Sequence, residues 1–228
     1  MKKKIMIVPI ARIADKQPIE TKQNEAGRFY CLHALNGIDT DKFDEVYFVI
    51  SKNGIEKYGI DEKLLRFQIE DAGFNLVVLQ NDTASQAETI ISALIQLKIF
   101  GYASLFCKDG DGSYDIDIDD PYLTGNSLMV CDIENCDTIS PKHKSYVSVD
   151  MNNLVTNTVE NTVISKYINC GGYRFNDVQD FIRAYEELVV KYNKQPKMSN
   201  IVQYLMLYKS KTFTATICSN YKDFTLKN

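Results

Sequence analysis

The chain has 228 residues, 26 of them basic and 30 acidic, with a net charge of −4 and an isoelectric point near 5.3. Hydrophobic residues make up 45% and charged residues 25%, the mix of a folded globular protein, which excludes disordered, collagen-like and coiled-coil chains. No apolar run approaches the ~20 residues of a membrane span, and mild acidity without a basic patch argues against a nucleic-acid partner.

The opening Met1-Lys2-Lys3-Lys4 leads into a short apolar run, Ile5 to Ile10, broken at Pro9 and too short for a signal-peptide core. Residues 4–10 read as a buried strand of the parallel type. A polar stretch follows from Ala11 to Glu25. Phe29 to Leu35 has helical spacing and stops near Gly37. Val46 to Ile50 is a β-branched and aromatic strand. Ile60 to Ala72 carries a helical stripe closed by Gly73. Leu76 to Leu79 is a third strand, Ser85 to Leu97 a second amphipathic helix, and Ser104 to Cys107 a fourth strand.

This alternation predicts parallel strands joined by crossover helices, an α/β doubly wound sheet. Ligands of such sheets sit beyond the carboxyl ends of the strands. Residues 9–28 and 108–121 are the loops expected there.

The second half changes character. Ser127 to Cys131, Tyr146 to Val149 and Leu154 to Val159 read as strands, with a polar turn over 150–153. Cys170-Gly171-Gly172-Tyr173 reads as a turn entering a strand. Asn176 to Tyr192 is a clear amphipathic helix. Ser199 suits the N-cap of a helix over 200–208, and Phe213 to Ile217 is a last short strand. With no repeat, low-complexity tract or linker, one domain over 1–228 is expected. Its nucleotide-binding half would be 1–125 and its smaller, β-rich acceptor half 126–228. Six cysteines (31, 107, 131, 136, 170, 218) form no CxxC pair, and His33 and His143 are the only histidines, which speaks against a zinc site. Without a secretion signal, reduced buried thiols in the cytoplasm are expected.

The sharpest chemical feature is Lys108-Asp109-Gly110-Asp111-Gly112-Ser113-Tyr114, directly after an apolar strand. Six acids fall within 109–120. Carboxylates at i and i+2 on a glycine-rich turn can face a hard divalent cation, which commonly bridges nucleotide phosphates. A calcium loop would need Gly where Tyr114 stands and Glu where Asp120 stands; a solvated acidic turn is the plain alternative. Thr83-Ala84-Ser85-Gln86-Ala87-Glu88-Thr89 opens a helix and suits a phosphate or nucleotide. It suits equally an ordinary capping box, with Ser85 as cap and Glu88 three residues on. The glycines of Asn169-Cys170-Gly171-Gly172-Tyr173 admit close backbone approach, or simply a bulge. Asp223, in Tyr221-Lys222-Asp223-Phe224-Thr225, reads alone as an exposed tail carboxylate.

Taken together and in this order, these segments resemble the sugar-phosphate nucleotidyltransferase family, a branch of the GT-A fold, and among its members those of bacterial capsule and surface polysaccharide. Residues 4–11, 43–48, 83–89, 108–111, 168–175 and 221–225 carry the resemblance. It implies Mg²⁺ or Mn²⁺ held by Asp111 and Asp223, and catalysis by Asp111, Arg12 and Lys22. It implies nucleotide contacts at Pro9, Ile10, Ala11, Arg12, Thr83, Ser85, Gln86, Lys108 and Asp109. Acceptor contacts are implied at Glu160, Asn169, Gly171 and Gly172. The substrates would be a nucleoside triphosphate and a small phosphorylated acceptor, with no membrane partner. The alternatives are a GT-A glycosyltransferase using a metal-bound nucleotide sugar and a relative that binds without turnover.

The chain departs from the family in three places. Its first loop lacks the usual glycines. The family's Glu-Lys pair appears as Glu160-Asn161. The closing Asp-Trp-Gly-Thr appears as Asp223-Phe224-Thr225, and a usual C-terminal segment is expected to be lacking.

Overall fold

The structure, a computed structural model, describes residues 2–10, 15–119, 123, 125–136, 140–193 and 195–226. Its frame is one sheet. Strands β1 (Lys3–Pro9), β2 (Glu45–Ser51) and β3 (Asn75–Leu79) run parallel, and β4 (Ala103–Lys108) joins β1 on its other side. The chain therefore winds outward from β1 to β3 and then returns to the far side of β1. The carboxyl ends of β1 and β4 flank the point where the winding reverses, where such sheets open a crevice.

Beyond β4 the sheet continues with β9 (Tyr167–Phe175), β6 (Asn126–Asp132) and β10 (Phe213–Ile217). Strand β9 is antiparallel to both neighbours, while β10 and β6 are parallel. The hairpin of β7 (Ser145–Val149) and β8 (Val155–Glu160) hangs from β9 through Tyr146 and Ile168. Outside the main sheet, β5 (Gly112–Asp115) pairs antiparallel with β11 (Ser219–Asp223).

Alternation along the central strands builds two cores. In β1, Ile5 and Ile7 face one side with α4 (Gln86–Gln96), α5 (Val178–Tyr192) and α6 (Met198–Lys209). Met6 and Val8 face the other with α1 (Tyr30–His33), α2 (Lys52–Tyr58) and α3 (Glu62–Asp71). Both faces being covered explains why these strands read as continuous apolar runs. The six cysteines are free, and all but Cys136 are buried. Among the described residues, no helix is long and apolar enough to cross a membrane.

Three local readings need correction. Gly171-Gly172 is no turn into a strand. It lies inside β9, where Gly171 takes φ +77° and the register with β6 shifts between Met129 and Val130, a bulge. Ser199 does not cap α6. The helix starts two residues earlier than expected, at Met198, because the Asn200 side chain accepts from the Lys197 amide (3.0 Å) and Met198 is buried. The helix expected over 29–35 is a single turn. Strand β5 and helix α2 give no periodic signal, α2 being set by its ends: Ser51 caps the Gly54 amide, and Gly59 closes it in the left-handed region.

At α4 the Ser85 cap is present, but Glu88 reaches back past it to the preceding amide, so the expected capping box is only half formed. Ser85 Oγ accepts from the Glu88 amide (3.1 Å), and Glu88 Oε2 accepts from the Ala84 amide (2.5 Å). Ser85→Ala should cost about 1 kcal/mol, read as a fall of ~2–4 °C in the thermal midpoint. An unchanged midpoint would show that the cap contributes nothing.

Candidate active site at the ends of strands β1 and β4

Strand β4 ends in Lys108, whose side chain is fully buried. Its Nζ donates to the carbonyls of Asp109 and Gly112, both at 2.7 Å, and lies 4.7 Å from the centre of the Tyr114 ring. The lysine thus ties the 109–112 turn from beneath and turns its charge inward, away from the nucleotide contact expected of it. Burial drives its pKa down, and Asp109 and Asp111 counter this.

Asp109 is fixed from two sides. Its amide donates to the Gly171 carbonyl (2.7 Å), and its carboxylate accepts from the Gln86 side chain at the start of α4. A Cβ on Gly171 would come within 2.5 Å of that carboxylate, and one on Gly172 within 2.2 Å of the Tyr114 hydroxyl. Protein already fills the room at both glycines, so they serve packing rather than an open acceptor pocket. Desolvation, with the charge of Asp111, raises the Asp109 pKa to about 7; Lys108 and Gln86 pull the other way.

The backbones of Asp111 and Asp223 come together. Gly112 pairs with Asp223 across β5 and β11, and the Phe224 amide donates to the Asp111 carbonyl (2.9 Å). Asp223 is no exposed tail carboxylate: its side chain is 4% exposed. Its Oδ2 takes the Lys144 ammonium at 2.6 Å, and its Oδ1 accepts from the Thr225 amide (2.9 Å) and hydroxyl (2.6 Å). Burial pushes this carboxyl up, but the hydrogen bonds from Lys144 and Thr225 outweigh it and hold the pKa low.

The remaining expected residues fall around this centre. Pro9 and Ile10 end β1, and Ile10 packs against Gly110. Lys22 is exposed and follows the Ile19–Thr21 turn, which carries Glu20, itself packed on Gly110. Ala11 and Arg12 lie outside the described residues. Thr83 shares a hydrogen bond with Thr89 (2.6 Å), and Ser85 is spent on its cap. Glu160 ends β8 and sits 3.7 Å from the Lys197 ammonium. Asn169 is 6% exposed; its Oδ1 accepts from the Gly171 amide (2.7 Å), whereas its Nδ2 is buried with no protein partner.

Scanned against family models the chain matches none, and no curated protein sequence matches it. Solved structures do match. A nucleoside-diphosphate-sugar pyrophosphorylase from Vibrio cholerae RC9 superposes with a TM-score of 0.71, over 95% of this chain and 92% of that one, at 18% identity. An inositol-1-phosphate CTP transferase from T. maritima gives 0.68, over 97% and 88%, at 14% identity. This chain shares the fold of both. At such identity the likeness concerns the fold, and function has to be argued from the site.

Within that fold, no cluster of three or more His, Cys, Asp or Glu side chains among the described residues is arranged to hold a metal ion. Two hard carboxylates, Asp111 before β5 and Asp223 at the end of β11, are the donor type a divalent cation takes beside phosphate and water ligands. Sequence reasoning missed Lys144 and Tyr221, which bracket Asp223. No motif marks Lys144; only the β7–β8 hairpin and β11 bring it there.

Asp109 sets a pH dependence. Its folded pKa of about 7 lies above the unfolded value, near 3.9. Between these the folded chain holds the extra proton, so in EDTA stability should fall as pH rises through that window. Asp109→Asn, which keeps an acceptor for Gln86, should flatten the midpoint-against-pH curve and raise the midpoint at pH 8. An unchanged slope would mean that Asp109 is ionised throughout.

Proposed function

We propose that this protein transfers a nucleoside monophosphate from a nucleoside triphosphate to a small phosphorylated acceptor, a sugar phosphate or similar monoester, making an activated precursor for surface polysaccharide. The observation that carries the reading is the meeting of the Asp111 and Asp223 backbones, far apart in sequence, where the turn after β4 pairs with β11. The fold supports it, since both structures above are named for nucleotidyl-transfer chemistry.

Asp111 and Asp223 would hold Mg²⁺ or Mn²⁺. Such a cation, when bound, offsets the charge on the reacting phosphates. An acceptor phosphate oxygen attacks the α-phosphorus, the bond to the β-phosphate oxygen breaks, and pyrophosphate leaves. No protein base is required, because a phosphate monoester is already ionised near neutral pH. The protein supplies alignment and charge. Lys108, by pinning the turn, holds Asp109 and Asp111 in place. Gln86 ties the start of α4 to the same turn. Arg12 and Lys22 are the cations for the departing pyrophosphate. Glu160 and Asn169 face the acceptor, with the Asn169 Nδ2 donor left for a substrate oxygen; an unpaired buried donor otherwise costs about 1–3 kcal/mol.

Thermal shift with CTP, UTP, dTTP, ATP and GTP, each with and without Mg²⁺, tests the reading through linkage. A midpoint rise of several degrees with one triphosphate, dependent on Mg²⁺, is expected, followed by pyrophosphate release with a sugar phosphate. Stabilisation by a nucleotide sugar alone would replace it with glycosyl transfer, and no shift with any triphosphate would sink it. Asp111→Asn should leave the midpoint within a few degrees and lower turnover by about 10³-fold or more, given the several kcal/mol a metal contributes; near-normal turnover would show that Asp111 is not a ligand.

A further inference from the structure

The Lys144–Asp223 pair is the most enclosed ion pair among the described residues for which side-chain exposure is known, with the lysine at 15% and the aspartate at 4%. The ammonium also donates to the Tyr221 hydroxyl at 2.6 Å and lies 5.1 Å from the centre of that ring. In every other ion pair among the described residues at least one side chain is 40% or more exposed. A single cation so placed satisfies the very carboxylate assigned above to a divalent ion.

The backbone of Lys144 is equally informative. Its carbonyl accepts from the Asn161 amide (2.9 Å), and Ser145 pairs with Glu160 across β7 and β8. Lys144 therefore stands directly opposite Glu160-Asn161, at the edge facing Asp223. Position 161 carries an amide and offers no charge to an anionic acceptor. Lys144 is the cation beside it, on a four-carbon stem that can shift between two oxygen partners.

We propose that Lys144 is a tethered counter-ion: it neutralises Asp223 in the empty site, gives up that carboxylate to the divalent cation, and then provides the positive charge for the acceptor phosphate. This rests on the nucleotidyl-transfer reading. It makes Lys144 a positioning residue for Asp223 and a specificity residue for a phosphorylated acceptor over a neutral sugar. Tyr221, held by the same ammonium, guides the exchange by keeping the lysine stem against its ring.

The competition is tested without turnover. Mn²⁺ binding is followed by the loss of its free EPR signal in the wild type, Lys144→Met and Asp223→Asn. Binding of glucose 1-phosphate is then followed by calorimetry with Mn²⁺ present. If the ammonium competes with the metal, Lys144→Met binds Mn²⁺ about 5-fold or more tightly and glucose 1-phosphate about 5-fold or more weakly, the range of a direct coupling between ligands. Lys144→Gln, which retains a donor for Asp223, should move both in the same directions and serves if the methionine variant folds poorly. Opposite signs for the two ligands are the signature, since a general loosening of the site would weaken both. Mn²⁺ binding that is unchanged or weaker in both lysine variants, while Asp223→Asn abolishes it, would overturn the role of Lys144 and leave the metal reading standing. No Mn²⁺ binding to the wild type would overturn both.

Discussion

The pairing of β5 with β11 is the constraint on which the site depends. Two short strands cannot hold each other in water, so their union is fixed from outside. Tyr114, Tyr221 and Phe224 are buried beside it, and the ring of Tyr30 lies 5.7 Å from that of Phe224. Gly112 must be a glycine, because a Cβ there would come within 2.8 Å of the Lys222 carbonyl. The apolar burial of three aromatic rings thus sets the register that lays Asp223 beside the 109–112 turn. An electrostatic site is positioned here by hydrophobic packing.

Around that register the charges are unevenly solvated. Two lysines, 108 and 144, have lost most of their water, and each is answered by oxygens: two carbonyls for one, a carboxylate and a phenol for the other. Burying a charge costs several kcal/mol even after relaxation, and such an arrangement is a poor way to gain stability. The Lys108 contacts are closed and structural. The Lys144 contact is with a carboxylate and a phenol on β11, so the same chemistry ties a turn at one position and joins a hairpin to a strand at the other.

Most of the fold was legible because burial on both faces, or on one stripe, leaves a period. Strands β1 to β4 and helices α3 to α5 are of this kind. Helix α2 has a single deep apolar residue, Ile55, and is made by its caps, so no period announces it. The acidic turn was visible in the residues, whereas the pairing of Asp111 with Asp223 came only through the resemblance: a four-residue and a five-residue strand from opposite parts of the chain leave no period that joins them. Gly171-Gly172 was readable as a turn or as a bulge, and the strand holds the bulge. Paired glycines suggest a turn, yet here they clear space in a continuous strand for Asp109 and Tyr114.

Two buried polar atoms without protein partners border this region, and their settings separate them. The Tyr114 hydroxyl is sealed beneath Gly172 and Met129, with its side chain wholly enclosed. A ligand has no approach to it, and its lost hydrogen bond is a cost of fitting a large ring under β9. Asn169 keeps a sliver of surface and spends its carbonyl on the Gly171 amide, which fixes the direction of its amide nitrogen. Its nitrogen is thus a buried donor of fixed direction beside the bulge, two residues from Gly171 with its positive φ. The same bulge that seats Asp109 therefore aims Asn169, so one local backbone irregularity sets the direction of both side chains.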